Sequence, residues 1–312
     1  WDFYAKKRVP TACLPIGAVL TIAAAGSEMS NSSVITNEDG GLKRGCNTDL
    51  CRCRFAVMNP ELTYTLPDYQ TQCGCTDIMM HTMERYFNMS ENMELTDGIS
   101  EALIKTVMKH SKILKEHPDC YESRAEVMWA SSLSHNDLTG CGTDGGDWAC
   151  HQLEHEIGGM FDVAHGAGLA AVWGSWARYV YKARPERFAK FARNIFNIQE
   201  TDDEKAAVAG IEAMENYYQS VGMPTSLCEL GIHATEEQIK EMADKCSFYG
   251  KRTVGVMKKI GAPEAAEIYR MANDKSIPLY SRLRISKKNR RMIGQIKTVC
   301  LIFYRYIIPF HV

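Results

Sequence analysis

Hydrophobic and polar positions follow two different patterns on either side of residue 66. In residues 1–65, short runs rich in β-branched residues alternate with turns built from small residues and glycine. Such runs, bounded by turn residues, are typical of strands. The pattern predicts strands over 18–22, 33–36 and 55–58, with a loop over 37–41. We therefore expect an α/β segment at the start of this chain.

From residue 66 onward, strand signals nearly vanish and apolar positions recur with helical spacing. Ala102, Ile104, Val107 and Leu114 mark the apolar stripe of one such segment. A glycine-rich loop over 140–146 separates two of the segments. The pattern predicts helices over 68–88, 99–117, 121–134, 147–160, 165–183, 185–196, 202–221 and 235–249. A mostly α-helical domain should therefore follow the α/β segment.

Composition places the chain among soluble globular proteins. Hydrophobic residues make up 45% of its 312 residues and charged residues 24%. The net charge of −2 argues against a general nucleic-acid binder. The longest apolar run, residues 299–308, is interrupted by Arg305 and is too short to span a bilayer. We therefore expect no nucleic-acid partner and no membrane span.

The cysteines indicate a reducing compartment. There are 12 of them at irregular spacings, in a chain long enough to bury a core without disulfides. The first residues show no basic start followed by an apolar stretch and a cleavage site. These observations predict reduced thiols and a cytoplasmic location.

Residues 274–312 form a third segment with its own character. They carry nine Lys or Arg residues against one Asp and end in an aromatic-rich apolar stretch. The plain interpretation is an atypical basic tail that packs loosely. A helix that docks on a membrane surface or a partner is the alternative.

Two clusters of histidine and acidic residues carry the candidate chemistry. Asp77 and His81 are four residues apart, so a helix places both side chains on one face. His151 and His155 are related in the same way, and His165 begins the next predicted helix. If the connecting loop folds back, His165 would lie beside the helix that carries the other two histidines.

Imidazole and carboxylate groups are the ligands that Fe²⁺ and Zn²⁺ accept, and a catalytic site keeps one position open. One Asp with several His residues could hold such an ion. The His151-x3-His155 spacing resembles part of a zinc-peptidase motif, but the glutamate that should follow the first histidine is absent. A peptidase is therefore only weakly supported, and a metal-dependent hydrolase of another kind stays open.

Three longer motifs carry a family resemblance. They are Leu-Thr-Ile-Ala-Ala-Ala-Gly-Ser-Glu-Met-Ser at 20–30, Gly-Asp-Trp-Ala-Cys-His-Gln-Leu-Glu-His-Glu at 146–156 and Phe-Asp-Val-Ala-His-Gly-Ala-Gly-Leu-Ala at 161–170. Together with Asp77 and His81, they resemble the iron-containing (group III) alcohol dehydrogenase family, most closely its NAD(P)H-dependent butanol dehydrogenase branch. The resemblance covers residues 1–273.

The resemblance implies roles for individual residues. The family's metal ligands fall on Asp77, His81, His151 and His165. An additional active-site histidine that does not coordinate the metal falls on His155. The family's contacts to the nicotinamide cofactor fall on Thr21, Gly26, Ser27 and Lys43. Many relatives have Thr where this chain has Ala25, so one hydroxyl contact is missing.

The resemblance also implies an architecture of the dehydroquinate synthase-like type. Residues 1–65 would be the C-terminal part of a dinucleotide-binding α/β domain, and residues 66–273 an all-helical metal-binding catalytic domain. Relatives carry an earlier α/β segment with a Gly-Gly-Gly-Ser turn whose backbone amides bind pyrophosphate. Nothing in residues 1–20 can do this, so we expect a fragment or a truncated gene product. Relatives often form dimers, so a homodimer is a possible assembly, and the sequence leaves the oligomeric state open.

The implied function is reversible hydride transfer between a primary alcohol, such as butanol, or its aldehyde and NADH or NADPH. Fe²⁺ or Zn²⁺ would act as the Lewis acid. His155 is the candidate for proton relay. The alternative that is not an enzyme is a truncated, inactive relative that retains the metal site.

Overall fold

The computed structural model describes residues 1–273. Four short strands lie in the first part of this span: β1 (Gly17–Val19), β2 (Ser32–Asn37), β3 (Leu42–Asn47) and β4 (Phe55–Val57). The helices of the same span are α1 (Asp68–Tyr86), α2 (Glu94–Glu116), α3 (Tyr121–Ser134), α4 (Ala149–Phe161), α5 (His165–Val180), α6 (Pro185–Phe196), α7 (Asp203–Ser220), α8 (Glu236–Cys246) and α9 (Ala262–Asn273). The predicted fold class, a small α/β remnant before a mostly helical domain, is confirmed. The basic tail predicted over 274–312 lies outside the described residues.

The strands form two separate pairs. β1 pairs in parallel with β4, with Gly17 opposite Phe55. β2 and β3 form an antiparallel hairpin, in which Asn37 lies opposite Leu42. Gly40 and Gly41 at the hairpin turn have φ angles of 86° and 56°, which glycine adopts without a steric penalty.

The hairpin lies against α4, and β3 supplies the contacts. Arg44 Nη1 lies 2.8 Å from Glu156 Oε1, and Lys43 Nζ lies 3.1 Å from Glu154 Oε2. Glu154 and Glu156 are both buried on α4. Two ion pairs therefore place β3 beside the helix that carries His151.

The helical part is organised around α5. Its residues from Gly166 to Ala177 are all buried, and the helix packs against α1, α4, α7 and α9. Because it is surrounded, it is apolar on all sides, whereas the amphipathic α6 at the surface exposes a polar face. Trp173 and Trp176 are the largest side chains of this core.

Predicted and observed helix boundaries agree closely. α3 and α6 have the predicted bounds, and most other ends differ by one to three residues. α2 begins at Glu94, five residues before the predicted start, and α8 ends at Cys246, three residues before the predicted end. None of the helices within residues 1–273 has the length and apolar character needed to cross a membrane.

Candidate metal centre and adjoining cavity

Three helices bring one carboxylate and three imidazoles to one place. Asp77 and His81 lie one turn apart on α1, His151 lies on α4, and His165 is the first residue of α5. The start of α5 approaches α1 closely. A Cβ atom at Gly166 would lie 2.1 Å from the backbone oxygen of Cys73, so only glycine allows this approach.

The three imidazoles converge on a single oxygen atom of Asp77. Asp77 Oδ1 lies 3.6 Å from the Nε2 atom of each of the three histidines, which are His81, His151 and His165. Asp77, His151 and His165 each offer a ligand atom within 4.8 Å of the other two, the geometry of a group that could hold a metal ion. His81 is not part of that triad, but its Nε2 atom lies at the same distance of 3.6 Å from Asp77 Oδ1.

The contacts at this point are too long for hydrogen bonds. Asp77 Oδ1 and His151 Nε2 are both buried, and neither has a hydrogen-bond partner among the described residues. Burying polar atoms without partners is costly. A divalent cation between them would satisfy both atoms, so the residues present fit such an ion.

Two further carboxylates contact the Nδ1 atoms of two of the imidazoles, on the side of each ring that faces away from Asp77. Glu84 Oε1 lies 3.0 Å from His151 Nδ1 and accepts a hydrogen bond from the backbone N–H of the same residue at 2.9 Å. Glu154 Oε2 contacts His165 Nδ1, and Lys43 Nζ lies 3.4 Å from that nitrogen. Carboxylates in these positions orient imidazoles toward a metal and raise their basicity.

Charge in the cluster shifts several pKa values. Burial would raise the pKa of Asp77, but the charges of His81, His165 and His151 hold it well below its usual range. Burial likewise opposes ionisation of Glu154, yet His165 and Lys43 lower its pKa to about 2. Both carboxylates are therefore anionic near neutral pH, and this negative charge favours a cation beside Asp77.

His155 lies next to this cluster and is not part of it. It sits one turn after His151 on α4, and its ring centroid lies 6.0 Å from that of His165. Burial lowers the pKa of His155 well below its usual value. Its ring makes no hydrogen bond to another described residue, and it borders an open cavity.

That cavity has a volume of about 670 Å³ and lies between the N-terminal segment and the helices. On the first side its wall includes Ser27, Asn31, Thr36 and Lys43. On the second side it includes Asp77, His81, Arg85, His135, Trp148, His151, His155 and His165. The candidate metal ligands thus face a space in the size range of small-molecule binding sites.

The four residues expected to contact the cofactor have different positions. Ser27 and Lys43 line the cavity, whereas Thr21 and Gly26 are not part of its wall. Thr21 is exposed, and Gly26 is buried with a φ angle of 56°. The N–H of Gly26 donates to Ser131 Oγ at 3.1 Å, which ties the start of the turn over 27–29 to α3. Gly26 therefore shapes the turn that presents Ser27.

Sequence reasoning missed Glu84 and Glu154, although a signal for each exists. Glu84 comes three residues after His81, and Glu154 comes three residues after His151, so each shares a helix face with a ligand candidate. It also missed Arg85 and His135. His135 follows α3 as a single histidine, and no spacing links it to the other site residues.

Comparison with protein families gives matches over nearly all of residues 1–273. Residues 1–60 match the model described as iron-containing alcohol dehydrogenase. Residues 71–272 match that of the Fe-containing alcohol dehydrogenase family, C-terminal. Both sides of the cavity therefore fall within matched regions.

Individual relatives agree with this assignment. The chain is 36% identical over 272 residues to NADH-dependent butanol dehydrogenase A of Clostridium acetobutylicum, covering 86% of this chain and 69% of the relative. It is 32% identical to the NADPH-dependent aldehyde reductase YqhD of Escherichia coli, covering 83% of this chain and 66% of the relative. The crystal structure of NADH-dependent butanol dehydrogenase A from Thermotoga maritima superposes with a TM-score of 0.84 at 36% identity, covering 88% of this chain and 70% of that one.

Proposed function

Because this chain belongs to the iron-containing alcohol dehydrogenase family, we propose that it transfers hydride between a primary alcohol or aldehyde and NAD(P). One observation carries the proposal: three imidazoles surround one buried carboxylate oxygen on the wall of a cavity. The relatives named above include enzymes described as NADH-dependent and NADPH-dependent, so the proposal covers both cofactors.

We assign the metal ligands to Asp77, His81, His151 and His165. The shared distance of 3.6 Å from Asp77 Oδ1 to each Nε2 atom supports this set. Fe²⁺ or Zn²⁺ bound there would supply a Lewis acid that polarises the substrate oxygen. Glu84 and Glu154 would keep the Nε2 atoms of His151 and His165 unprotonated and directed inward.

The remaining cavity residues would position the reactants. Ser27 and Lys43 border the side formed by the N-terminal segment, where we place the nicotinamide cofactor. Lys43 also neutralises Glu154, so it connects the cofactor side to the metal side. Gly26 would act indirectly, by fixing the backbone before Ser27, and Thr21 stays a predicted cofactor contact that lies outside the cavity wall. His155 borders the cavity without a described hydrogen-bond partner, which leaves its ring free to pass a proton from the alcohol to water.

A cytoplasmic location and a homodimer belong to the same proposal. The eleven cysteines within residues 1–273 are free thiols, as expected in a reducing compartment. The division into an α/β segment over 1–65 and a catalytic segment over 66–273 also stays a prediction.

The proposal predicts metal-dependent oxidation of reduced nicotinamide when an aldehyde such as butanal is supplied. The protein would be purified anaerobically, stripped with a chelator and reloaded with Fe²⁺ or Zn²⁺. Loss of NADH or NADPH absorbance should require the metal. His151→Ala should abolish both metal retention and turnover, whereas His155→Ala should retain the metal and lower the rate.

The exposed His117 provides a matched control, because His117→Ala removes an imidazole far from the cluster in sequence and leaves the ligand set intact. Metal-dependent hydrolysis with no change in the cofactor would favour a hydrolase instead. Metal binding without nucleotide binding would favour an inactive relative that retains the metal site.

A further inference from the structure

His135 lies beside the candidate metal ligands on the cavity wall, and nothing above gives it a role. It follows the end of α3, and its ring stacks on the ring of His81 with centroids 4.0 Å apart and planes 24° apart. Its other ring neighbour is Trp148, with centroids 6.0 Å apart. The ring is therefore held in place on one side by a candidate ligand.

Arg85 determines which nitrogen of His135 carries the proton. Arg85 Nη2 lies 3.2 Å from His135 Nδ1. A guanidinium group can only donate hydrogen bonds, so Nδ1 must accept. The proton of the neutral ring then resides on Nε2, which makes that atom a donor.

Arg85 is itself fixed, so this assignment does not depend on a mobile side chain. Its Nη1 atom donates to the backbone oxygens of His81 and Ser134 at 3.0 and 2.8 Å. Its guanidinium carbon lies 4.7 Å from the centre of the Trp148 ring. Because the side chain is only 6% exposed, its donors have little competition from water.

The Nε2–H group of His135 has no acceptor among residues 1–273, and the residue borders the cavity. An unpaired donor held next to the metal centre can recognise an oxygen atom of a ligand. Because His135 stacks directly on His81, this oxygen would be only a few bonds away, within the same ligand molecule, from the oxygen that binds the metal. A hydrocarbon chain of the same length could not accept this hydrogen bond.

We propose that His135 is a specificity determinant. It favours short alcohols and aldehydes that carry a second oxygen atom on a carbon next to the reacting carbon. The ligand class is a small diol or hydroxyaldehyde, preferred over the alkyl compound of equal size. The proposal rests on the proposed function, because it places the reacting oxygen at the metal.

Two pairs of compounds of matched size test this inference. Glycolaldehyde and propanal differ by a hydroxyl in place of a methyl group, and so do ethylene glycol and propanol. His135→Phe keeps a ring to stack on His81 but removes the donor. The ratio of kcat/KM for glycolaldehyde over propanal should fall about three- to tenfold in this variant, the worth of one hydrogen bond. His135→Gln, which restores an N–H donor, should recover part of the ratio.

Binding provides a second readout that does not need turnover. Calorimetric titration of ethylene glycol and of propanol into the Zn²⁺-loaded full chain should show the same loss of preference in His135→Phe. Should that variant fail to fold, His135→Met replaces it. Equal ratios in wild type and variants, in either assay, would overturn the inference. Absence of all aldehyde turnover would instead count against the proposed function, while the binding ratio would still decide the role of His135.

Discussion

At the scale of single residues, the contacts of the imidazole Nδ1 atoms determine whether the Nε2 atoms can bind a metal. Glu84 and Glu154 each contact an Nδ1 atom, and an Nδ1–H donated to either carboxylate would leave the Nε2 atom of the neutral ring with a free lone pair. His81 differs, because its Nδ1 atom is buried without a partner among the described residues. Instead, the rings of His135 and His151 stack on the His81 ring and keep it in position.

Glu84→Gln should weaken metal binding without unfolding the protein. The amide keeps the shape of the side chain but removes the negative charge that makes His151 basic, so affinity for Zn²⁺ should fall about 10- to 100-fold. Competition with a chromogenic chelator measures this change.

Glu101→Gln is the matched control for this prediction. Glu101 is also a buried carboxylate, and it accepts a hydrogen bond from Tyr86 at 2.8 Å, but it lies on α2 away from the cluster. Its variant should bind Zn²⁺ as tightly as the wild type. Equal affinity in the two variants would remove Glu84 from its assigned role.

The sequence could predict some of these residues and not others. The spacing of Asp77 and His81 on one helix face follows from helical periodicity alone, and the structure keeps the pair together. The approach of His165 could only be expected, because it depends on how a loop turns back. The Arg85–His135 contact joins α1 to the segment after α3, and no local pattern records such a tertiary contact.

At the scale of elements, the crossing of α1 and α5 sets the distance between Asp77 and His165. Gly166 lies against the backbone of Cys73, which is one turn before Asp77 on the same helix. Any side chain at this crossing must push α5 away from α1. The glycine is therefore required for the proposed metal centre as much as for the fold.

Gly166→Ala should lower both stability and metal affinity. The added methyl group would overlap backbone atoms that cannot move aside, at a cost of about 1–3 kcal/mol in the free energy of unfolding. Denaturant titration of the metal-free protein and Zn²⁺ competition of the folded protein measure the two effects separately.

Gly98→Ala should have the opposite effect on stability, because Gly98 is an exposed position of α2. A Cβ atom there has nothing within 4 Å, and α2 gains helix propensity, so this variant should be more stable by about 0.5–1 kcal/mol. Unchanged metal affinity in Gly166→Ala would show that the crossing does not control the site.

The elements also show why part of the fold escaped prediction. The long helices carry strong periodic patterns, and α3 and α6 match their predicted bounds. β3 has the sequence Leu-Lys-Arg-Gly-Cys-Asn, which has no strand pattern. It is a strand because it pairs with β2 and because Lys43 and Arg44 meet carboxylates on α4. Tertiary contacts decide this segment, and its own propensity does not.

At the scale of the whole molecule, the cluster links three helices that are distant in sequence. α1, α4 and α5 each contribute at least one side chain around Asp77 Oδ1, and α5 forms the centre of the core. A cation bound there would therefore stabilise the folded state as a whole. An unfolded chain does not bring these ligands together, so binding free energy adds to folding free energy.

Metal loading should raise the melting temperature, and the shift should depend on the ligand histidines. With free Zn²⁺ at about 100 times its dissociation constant, the stabilisation is about 2.7 kcal/mol, or roughly 4–5 °C for a chain of this size. His151→Ala should remove the shift, and a chelator should reverse it in the wild type. His155→Ala and His117→Ala should both keep it, because neither supplies a ligand. If His151→Ala kept the full shift, the cation would be bound elsewhere, and the cluster around Asp77 could not be the metal centre.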